Sequence, residues 1–293
     1  SPDGSLAVCE QLAAEHEKVR LLRHPGGVNR GAGETRNLGI REATGDLIAF
    51  LDADDYMLPG RFEHVVRMLE ADATLDGVHD AVGMHLENEN AQEWWRSRYG
   101  ENDLATVGKP VVPEALFQGM LTGQTGEFHT NGICVRRKLF EKSGLFDAEL
   151  RMCQDTALWL RMAVVGRLAP GRLDEPVAMY RLHGENRVMK NQHRHLYWAV
   201  EMSRCLLRWA KQRGDQERVA TFYENWTYRW WRYRDAGGDD LRTRMELAKL
   251  CLKMAWNYPT AMTQRSFWGK LKLALLHGGS KSHATVTARS LNE

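Results

Sequence analysis

The segment Leu47-Ile48-Ala49-Phe50-Leu51-Asp52-Ala53-Asp54-Asp55-Tyr56 decides how this chain folds. Five apolar residues run directly into a cluster of carboxylates. An apolar run this short reads as a buried strand rather than a helix core. In extended chain Asp52 and Asp54, two residues apart, project to the same side. Adjacent carboxylates repel each other unless a cation lies between them. A hard divalent ion held by one or two carboxylates and completed by substrate phosphates is the usual solution. The segment therefore predicts a metal–diphosphate site at the carboxyl end of a buried strand. A solvated acidic turn is the plainer alternative. A calcium loop fits poorly, because its places for a polar ligand and a glycine hold Tyr56 and Met57.

Outward from this strand, helix and strand patterns alternate. Helical spacing is expected over 6–16, a short strand over 19–22, and a glycine-rich turn over 29–33 that opens a helix through Arg41. Pro59 starts a further helix with Phe62, Val65, Val66 and Leu69 on one face. A strand is expected over 78–86, another over 132–135, an amphipathic helix over 154–165 and an alternating segment over 176–182. This order predicts an α/β layer with a mixed, mainly parallel sheet flanked by helices. Ligands in such sheets sit beyond the carboxyl ends of the strands, where Asp52–Asp55 fall. After residue 191 the pattern becomes helical, with segments expected near 195–213, 215–235, 239–256 and 260–276, and a polar tail over 278–293 that predicts disorder. The expected units are 1–187 and 191–277.

The 293 residues carry 40 Lys and Arg against 38 Asp and Glu, a net charge of +2 that argues against a nucleic-acid partner. Five cysteines without paired spacing suit reduced thiols in a cytoplasmic protein. No stretch is apolar enough to predict a bilayer span.

Three further clusters bear on chemistry. Asn29-Arg30-Gly31-Ala32-Gly33 precedes a helix whose first turns carry Arg36 and Asn37, an arrangement that suits an anion. Arg36 can pair with a phosphate or hydrogen-bond a base. Asp155 stands at the start of the 154–165 helix, either as an N-cap or as a general base. His183, after a strand, is either structural or a member of a metal shell, with Arg181 or Arg187 as a charge partner.

Taken in order, these motifs resemble the family 2 glycosyltransferases of the GT-A fold. The resemblance runs through Asn29-x-Gly31, Thr35-Arg36-Asn37-x-Gly39-Ile40, Gly45-Asp46-x-Ile48-x-Phe50-Leu51-Asp52-Ala53-Asp54-Asp55, and Pro59. It continues in Gly132, Arg136-Arg137, Gly144-x-Phe146-Asp147, Gln154-Asp155-x-x-Leu158-Trp159-x-Arg161 and Tyr180-Arg181-x-His183-Gly184. It covers about residues 1–187. It implies inverting transfer of a sugar from a nucleotide-diphosphate sugar, with a UDP-sugar the expected donor, to a hydroxyl of a saccharide, lipid-linked or protein acceptor, in the building of cell-surface polysaccharide. It also implies Mn2+ or Mg2+ on Asp54, with Asp52 and His183 near the shell. Arg36, Asn37, Asp52 and Asp54 would contact the donor, Asp155 would be the base, and Gly132 and Asn131 would lie on the acceptor side.

Two departures stand out. Gln154 replaces the glutamate usual before the base, which removes a carboxylate. The opening Ser1-Pro2-Asp3-Gly4-Ser5 resembles the end of a turn that follows the family's second strand. The first strand and helix would then precede residue 1, and the chain as given is expected to bind its donor weakly. The seven tryptophans at 198, 209, 226, 230, 231, 256 and 268, set among Arg and Lys, suit either a packed helical face or peripheral contact with the inner face of a membrane. A sugar nucleotidyltransferase and a truncated, non-catalytic interaction module are the competing readings.

Overall fold

The computed structural model describes residues 4–184, 186, 192–233 and the single positions 245, 248, 249, 252, 256 and 268. The elements are α1 (Ser5–Glu15), α2 (Gly31–Glu42), β1 (Leu47–Ala49), β2 (Tyr56–Met57), α3 (Glu63–Ala71), β3 (Gly77–His79), β4 (Val82–Leu86), α4 (Glu89–Tyr99) and β5 (Leu104–Ala105). Then follow α5 (Pro113–Thr122), β6 (Ile133–Arg136), α6 (Leu139–Ser143), α7 (Gln154–Val165), β7 (Leu168–Pro170), β8 (Ala178–Leu182), α8 (Gln192–Gln212) and α9 (Gln216–Tyr233). The expected tail and the last two expected helices lie largely outside the described residues.

The α/β class is as expected, with helices around mixed sheets and a helical C-terminal region. The strands form two four-stranded sheets, ordered β1-β6-β3-β7 and β2-β8-β4-β5. The expected parallel majority is corrected: only β3–β7 and β4–β8 pair in parallel, while the other four pairings are antiparallel. The cause is β6, which inserts antiparallel between β1 and β3, with Ile48 opposite Val135 and Val78 opposite Cys134.

The strand expected over 78–86 is two strands in two sheets. Asp80 and Ala81 break it, because their N–H groups donate to Gly132 O and Arg172 O instead of to a ladder partner. Residues 19–22 are extended but pair with no described strand. Helix α1 forms as its spacing predicts, yet none of its residues is buried.

The main core joins both regions. Phe50, at the end of β1, meets Phe146 edge to face with ring centres 5.5 Å apart and Trp159 of α7 at 6.0 Å. Edge-to-face aromatic pairs are favourable beyond the area they bury. Arg161 is buried beneath this cluster and donates to the carbonyls of Ala157, Ser143 and Leu145, at 3.3, 3.0 and 2.6 Å. Those bonds fix the loop after α6 against α7. The same core takes in Leu206, Ala210 and Val219 of α8 and α9, and Trp198, Trp209 and Trp226 pack on its edge. Arg208 pairs with Asp147 at 3.0 Å and with Glu149 at 2.7 Å, which holds α8 to the loop before α7. Trp230 is buried as well, so four of the seven tryptophans serve packing; Trp256 and Trp268 are exposed. Among the described residues no helix is long and apolar enough to cross a membrane.

His79 on β3 is fully buried and stacked on Phe128 with ring centres 4.8 Å apart, and neither ring nitrogen has a partner. Burial pushes its pKa down from 6.5 to about 4. The folded state therefore resists protonation that the unfolded chain accepts. Stability from this group is complete above about pH 6.5 and is lost as pH falls toward 4. The loss is on the order of 3 kcal/mol. Urea unfolding across that window should show the wild-type chain weakening with acid. His79→Phe should flatten the fall without removing it, because burial lowers the pKa of His129 and His195 too. An unchanged slope in the variant would contradict the assignment.

Candidate active site

The acidic stretch is a turn, not the continuation of β1. Asp55 N–H donates to Asp52 O at 3.1 Å, and the chain then enters β2 in the second sheet. The carboxylates therefore do not share one side. Asp52 turns toward α2, where Arg36 donates to its Oδ1. Arg36 is itself held over the Phe146 ring, 5.6 Å from its centre. Asp54 turns to solvent, with its Oδ2 3.6 Å from His183 Nε2. Asp55 turns inward, accepting from Arg181 N–H at 2.8 Å and Asn131 Nδ2 at 2.6 Å. Burial raises the Asp55 pKa, while those two donors pull it back down.

Two residues given sequence-level ligand roles have structural ones. Asn37 is buried, and its amide is occupied by the backbone of Phe146: Nδ2 donates to Phe146 O, and Phe146 N–H donates to Oδ1, both at 2.9 Å. Asn37 therefore holds α2 to the 146 loop. Asn131 is fully buried and clamps the acidic turn. Its Oδ1 accepts from Asp52 N–H at 3.2 Å, while its Nδ2 holds Asp55. Gly132, expected on the acceptor side, packs closely on the end of β3. It is glycine because a Cβ there would lie 2.4 Å from Asp80 O.

Behind Asn131 lies a buried charge network. Arg61 donates to Asp80 Oδ2 at 2.8 Å and to Asn131 O at 3.2 Å. His64 Nε2 lies 2.7 Å from Asp80 Oδ1, which also accepts from Arg172 N–H at 2.8 Å. Burial lowers the Arg61 pKa and the adjacent Asp80 raises it. One buried carboxylate thus fixes the arginine that fixes the asparagine holding the acidic turn.

Asp155 stands in the first turn of α7, but it is not the cap. That position belongs to Cys153, at φ 57°, the one non-glycine residue with positive φ among those described. Asp155 Oδ1 accepts from Thr156 N–H at 2.8 Å and the side chain remains partly open. Gln154 packs against α2, where a Cβ on Gly33 would come within 3.0 Å of its Oε1. A cleft of about 560 Å³ is lined by Asn29, Gly31, Gly33, Arg151, Gln154 and Arg194, so the glycine-rich turn and the start of α7 share a wall.

The region 127–131 brings in two groups that the motifs did not mark. Thr156 Oγ1 donates to Glu127 Oε2 at 3.2 Å. Burial raises the Glu127 pKa, and Asp155 raises it further. A second carboxylate thus stands beside Asp155 although Gln154 supplies none. His129 lies between the two halves of the site: Asp52, Asp55 and Asp155 all act on it electrostatically, and burial lowers its pKa. Its Nδ1 accepts from Asn131 N–H at 3.3 Å. No sequence pattern marks these two residues, since the loop reaches the site only through the pairing of β6.

Residues 1–144 match the sequence profile of the family described as Glycosyl transferase family 2. That segment is just under half of the chain. Family 2 relatives include uncharacterized glycosyltransferases from Haemophilus influenzae, 24% identical over 56% of this chain and 51% of that protein, and from Nostoc sp., 29% identical over 64% and 55%. YwdF of Bacillus subtilis, also an uncharacterized glycosyltransferase, is 32% identical over 46% and 45%. The chain thus spans about half the length of the curated relatives it matches. Among solved structures, mannosyltransferase PcManGT from Pyrobaculum calidifontis, in complex with GDP-Man and Mn2+, aligns over 94% of this chain and 74% of its own, with TM-score 0.43 and 17% identity. The Glycosyl transferase family 2 match favours a glycosyltransferase over a nucleotidyltransferase.

A divalent ion would find a carboxylate at Asp54 with the His183 imidazole 3.6 Å from it, an oxygen and nitrogen pair that suits a transition-metal ion better than Mg2+. Asp52 is paired with Arg36, so the remaining positions would fall to diphosphate oxygens and water. Among the described residues the one three-ligand cluster is Asp147, Glu149 and Cys205, whose carboxylates already pair with Arg204 and Arg208. That cluster needs no ion.

Two alanine substitutions separate clamp from frame. Asn131→Ala should cost about 1–3 kcal/mol in urea unfolding, because it leaves buried groups unpaired. It should also weaken Mn2+ binding in the presence of UDP by roughly ten- to hundredfold, the usual effect of losing a group that orients ligands. Asn37→Ala should cost similar stability and leave Mn2+ affinity unchanged. Equal effects of the two on Mn2+ would show that Asn131 is only structural.

Proposed function

We propose that this chain transfers a sugar from a nucleotide-diphosphate sugar to an acceptor hydroxyl with inversion, using Asp155 as the base. The observation that carries the reading is His129, which stands within electrostatic reach of Asp52 and Asp55 on one side and of Asp155 on the other. That shared neighbour supports reading the donor-side acids and the base as one site.

Each group has a defined task in this scheme. Arg36 and Asp52, held as a pair, form the nucleotide side. Asp54 and His183 would hold a divalent ion, which when bound would offset the charge gained by the leaving diphosphate. Asp155 takes the proton of the acceptor hydroxyl as its oxygen bonds to the anomeric carbon. The bond from that carbon to the diphosphate oxygen breaks on the opposite face, and the nucleoside diphosphate leaves. A single displacement inverts the anomeric centre. The transition state resembles an oxocarbenium ion, as in glycoside hydrolysis, so a base positioned on one face is sufficient. His129, whose pKa burial lowers, adds no competing positive charge near Asp155 at neutral pH.

The test is Asp155→Asn with a panel of UDP- and GDP-sugars. Transfer should fall by about 10²–10⁴-fold, the usual worth of a positioned general base. Donor affinity by calorimetry should stay unchanged. Undiminished turnover in the variant would refute Asp155 as the base, and loss of donor affinity would move it to the binding side.

A further inference from the structure

The C-terminal helices leave a second cavity that the scheme above does not use. It measures about 330 Å³, at the lower end of small-molecule sites, and lies between α4 and the α8–α9 pair. Its lining includes Trp94, Arg98, His195, Tyr228, Arg229 and Arg232, and none of the lining residues is Asp or Glu.

The arginines are held in place before any ligand arrives. The Arg98 guanidinium stacks 4.3 Å from the Trp94 ring centre, and that of Arg232 lies 6.0 Å from the Tyr228 ring, with Nη1 3.3 Å from Tyr228 Oη. Arg229 Nε donates to Asn225 Oδ1 at 2.8 Å, and Asn225 is fixed in turn by Ser203 Oγ at 2.9 Å. Burial lowers the Arg229 pKa, so this cation has given up part of its water. Glu127 and the Cys153 thiol act on it from the side of the base and raise it again. A planar guanidinium that is already oriented loses less freedom on pairing and recognises carboxylate or phosphate through two parallel hydrogen bonds. The aromatic faces add apolar area for a ring to lie on.

One wall of the cavity leads toward the base. His195, one of its walls, places Nε2 3.5 Å from Cys153 Sγ, two residues before Asp155. Asp155 and Arg229 both act on His195 electrostatically.

We propose that this cavity is the acceptor pocket and that it selects an anionic saccharide, one whose carboxylate or phosphate pairs with Arg98, Arg229 and Arg232 while a hydroxyl reaches Asp155. The proposal rests on the transfer reading above and adds to it the charge class of the acceptor. A uronic acid and a sugar phosphate carry the same chemistry into the pocket.

Calorimetric titrations of the full chain at low salt decide between them. The probes are p-nitrophenyl β-glucuronide for the carboxylate, glucose 1-phosphate for the phosphate and p-nitrophenyl β-glucoside as the neutral control. At least one anionic probe should bind about tenfold tighter than the neutral one. The exposed pair Arg98→Gln with Arg232→Gln should reduce that preference to within about twofold. The double lysine variant at the same positions should keep part of it. Equal binding of the three probes, or a preference that survives the glutamine pair, would overturn the proposal. UDP with Mn2+ is titrated into the same samples. Donor binding without anion preference removes the pocket assignment alone. Loss of donor binding from the wild-type chain counts against the transfer reading instead, and anion preference that persists there without any transfer removes the acceptor role.

Discussion

The ion pair between Arg61 and Asp80 is the contact on which the site depends. Both side chains are buried, 2% and 0% exposed. Three chain segments pass from the first sheet to the second, at Asp52–Asp55, at Asp80–Ala81 and over 171–177. Asp80 fixes the second crossing through Arg172 N–H and reaches the first through Arg61 and Asn131. Breaking a buried pair by removing one partner leaves an uncompensated charge and costs about 3–5 kcal/mol. The acids that face the donor thus inherit their positions from a carboxylate that never meets it.

Electrostatics divides the site into two halves with opposite needs. In the proposed scheme Asp52 is neutralised by Arg36 on the donor side, which leaves Asp54 and His183 for a cation. On the base side, Glu127 and Asp155 crowd each other, and burial raises the pKa of Glu127 first. Between them a neutral His129 separates the two sets of negative charge. The Phe50, Phe146 and Trp159 cluster sets the spacing, since it packs the end of β1 directly on α7. The same cluster supports Arg36 through the Phe146 ring.

What was legible in the sequence follows from how local each signal is. Residues 154–165 carry a complete helical pattern, and α7 has those bounds. The acids after β1 and the histidine after β8 were readable because strand ends place residues predictably in an α/β layer, and Asp54 and His183 do meet. The strand over 78–86 was misread because Asp80 is polar within an apolar run, and only its buried partners from α3 explain why the chain turns there. Asn37 and Asn131 look like ligands in sequence, yet both amides close tertiary contacts across 109 and 76 residues. Glu127 and His129 carry no pattern at all. The parallel majority failed because sheet order is set by long-range insertion of β6, which no local periodicity encodes.

The central claim is that the acidic turn and Asp155 form one site with His129 between them. Paramagnetic broadening of the histidine ring signals by Mn2+ in the presence of UDP tests it most directly. The account predicts that His183 broadens first and His129 next, with His64 and His79 little affected, and that Asp54→Asn abolishes the pattern. Broadening that spares His129, or that persists in Asp54→Asn, would contradict it.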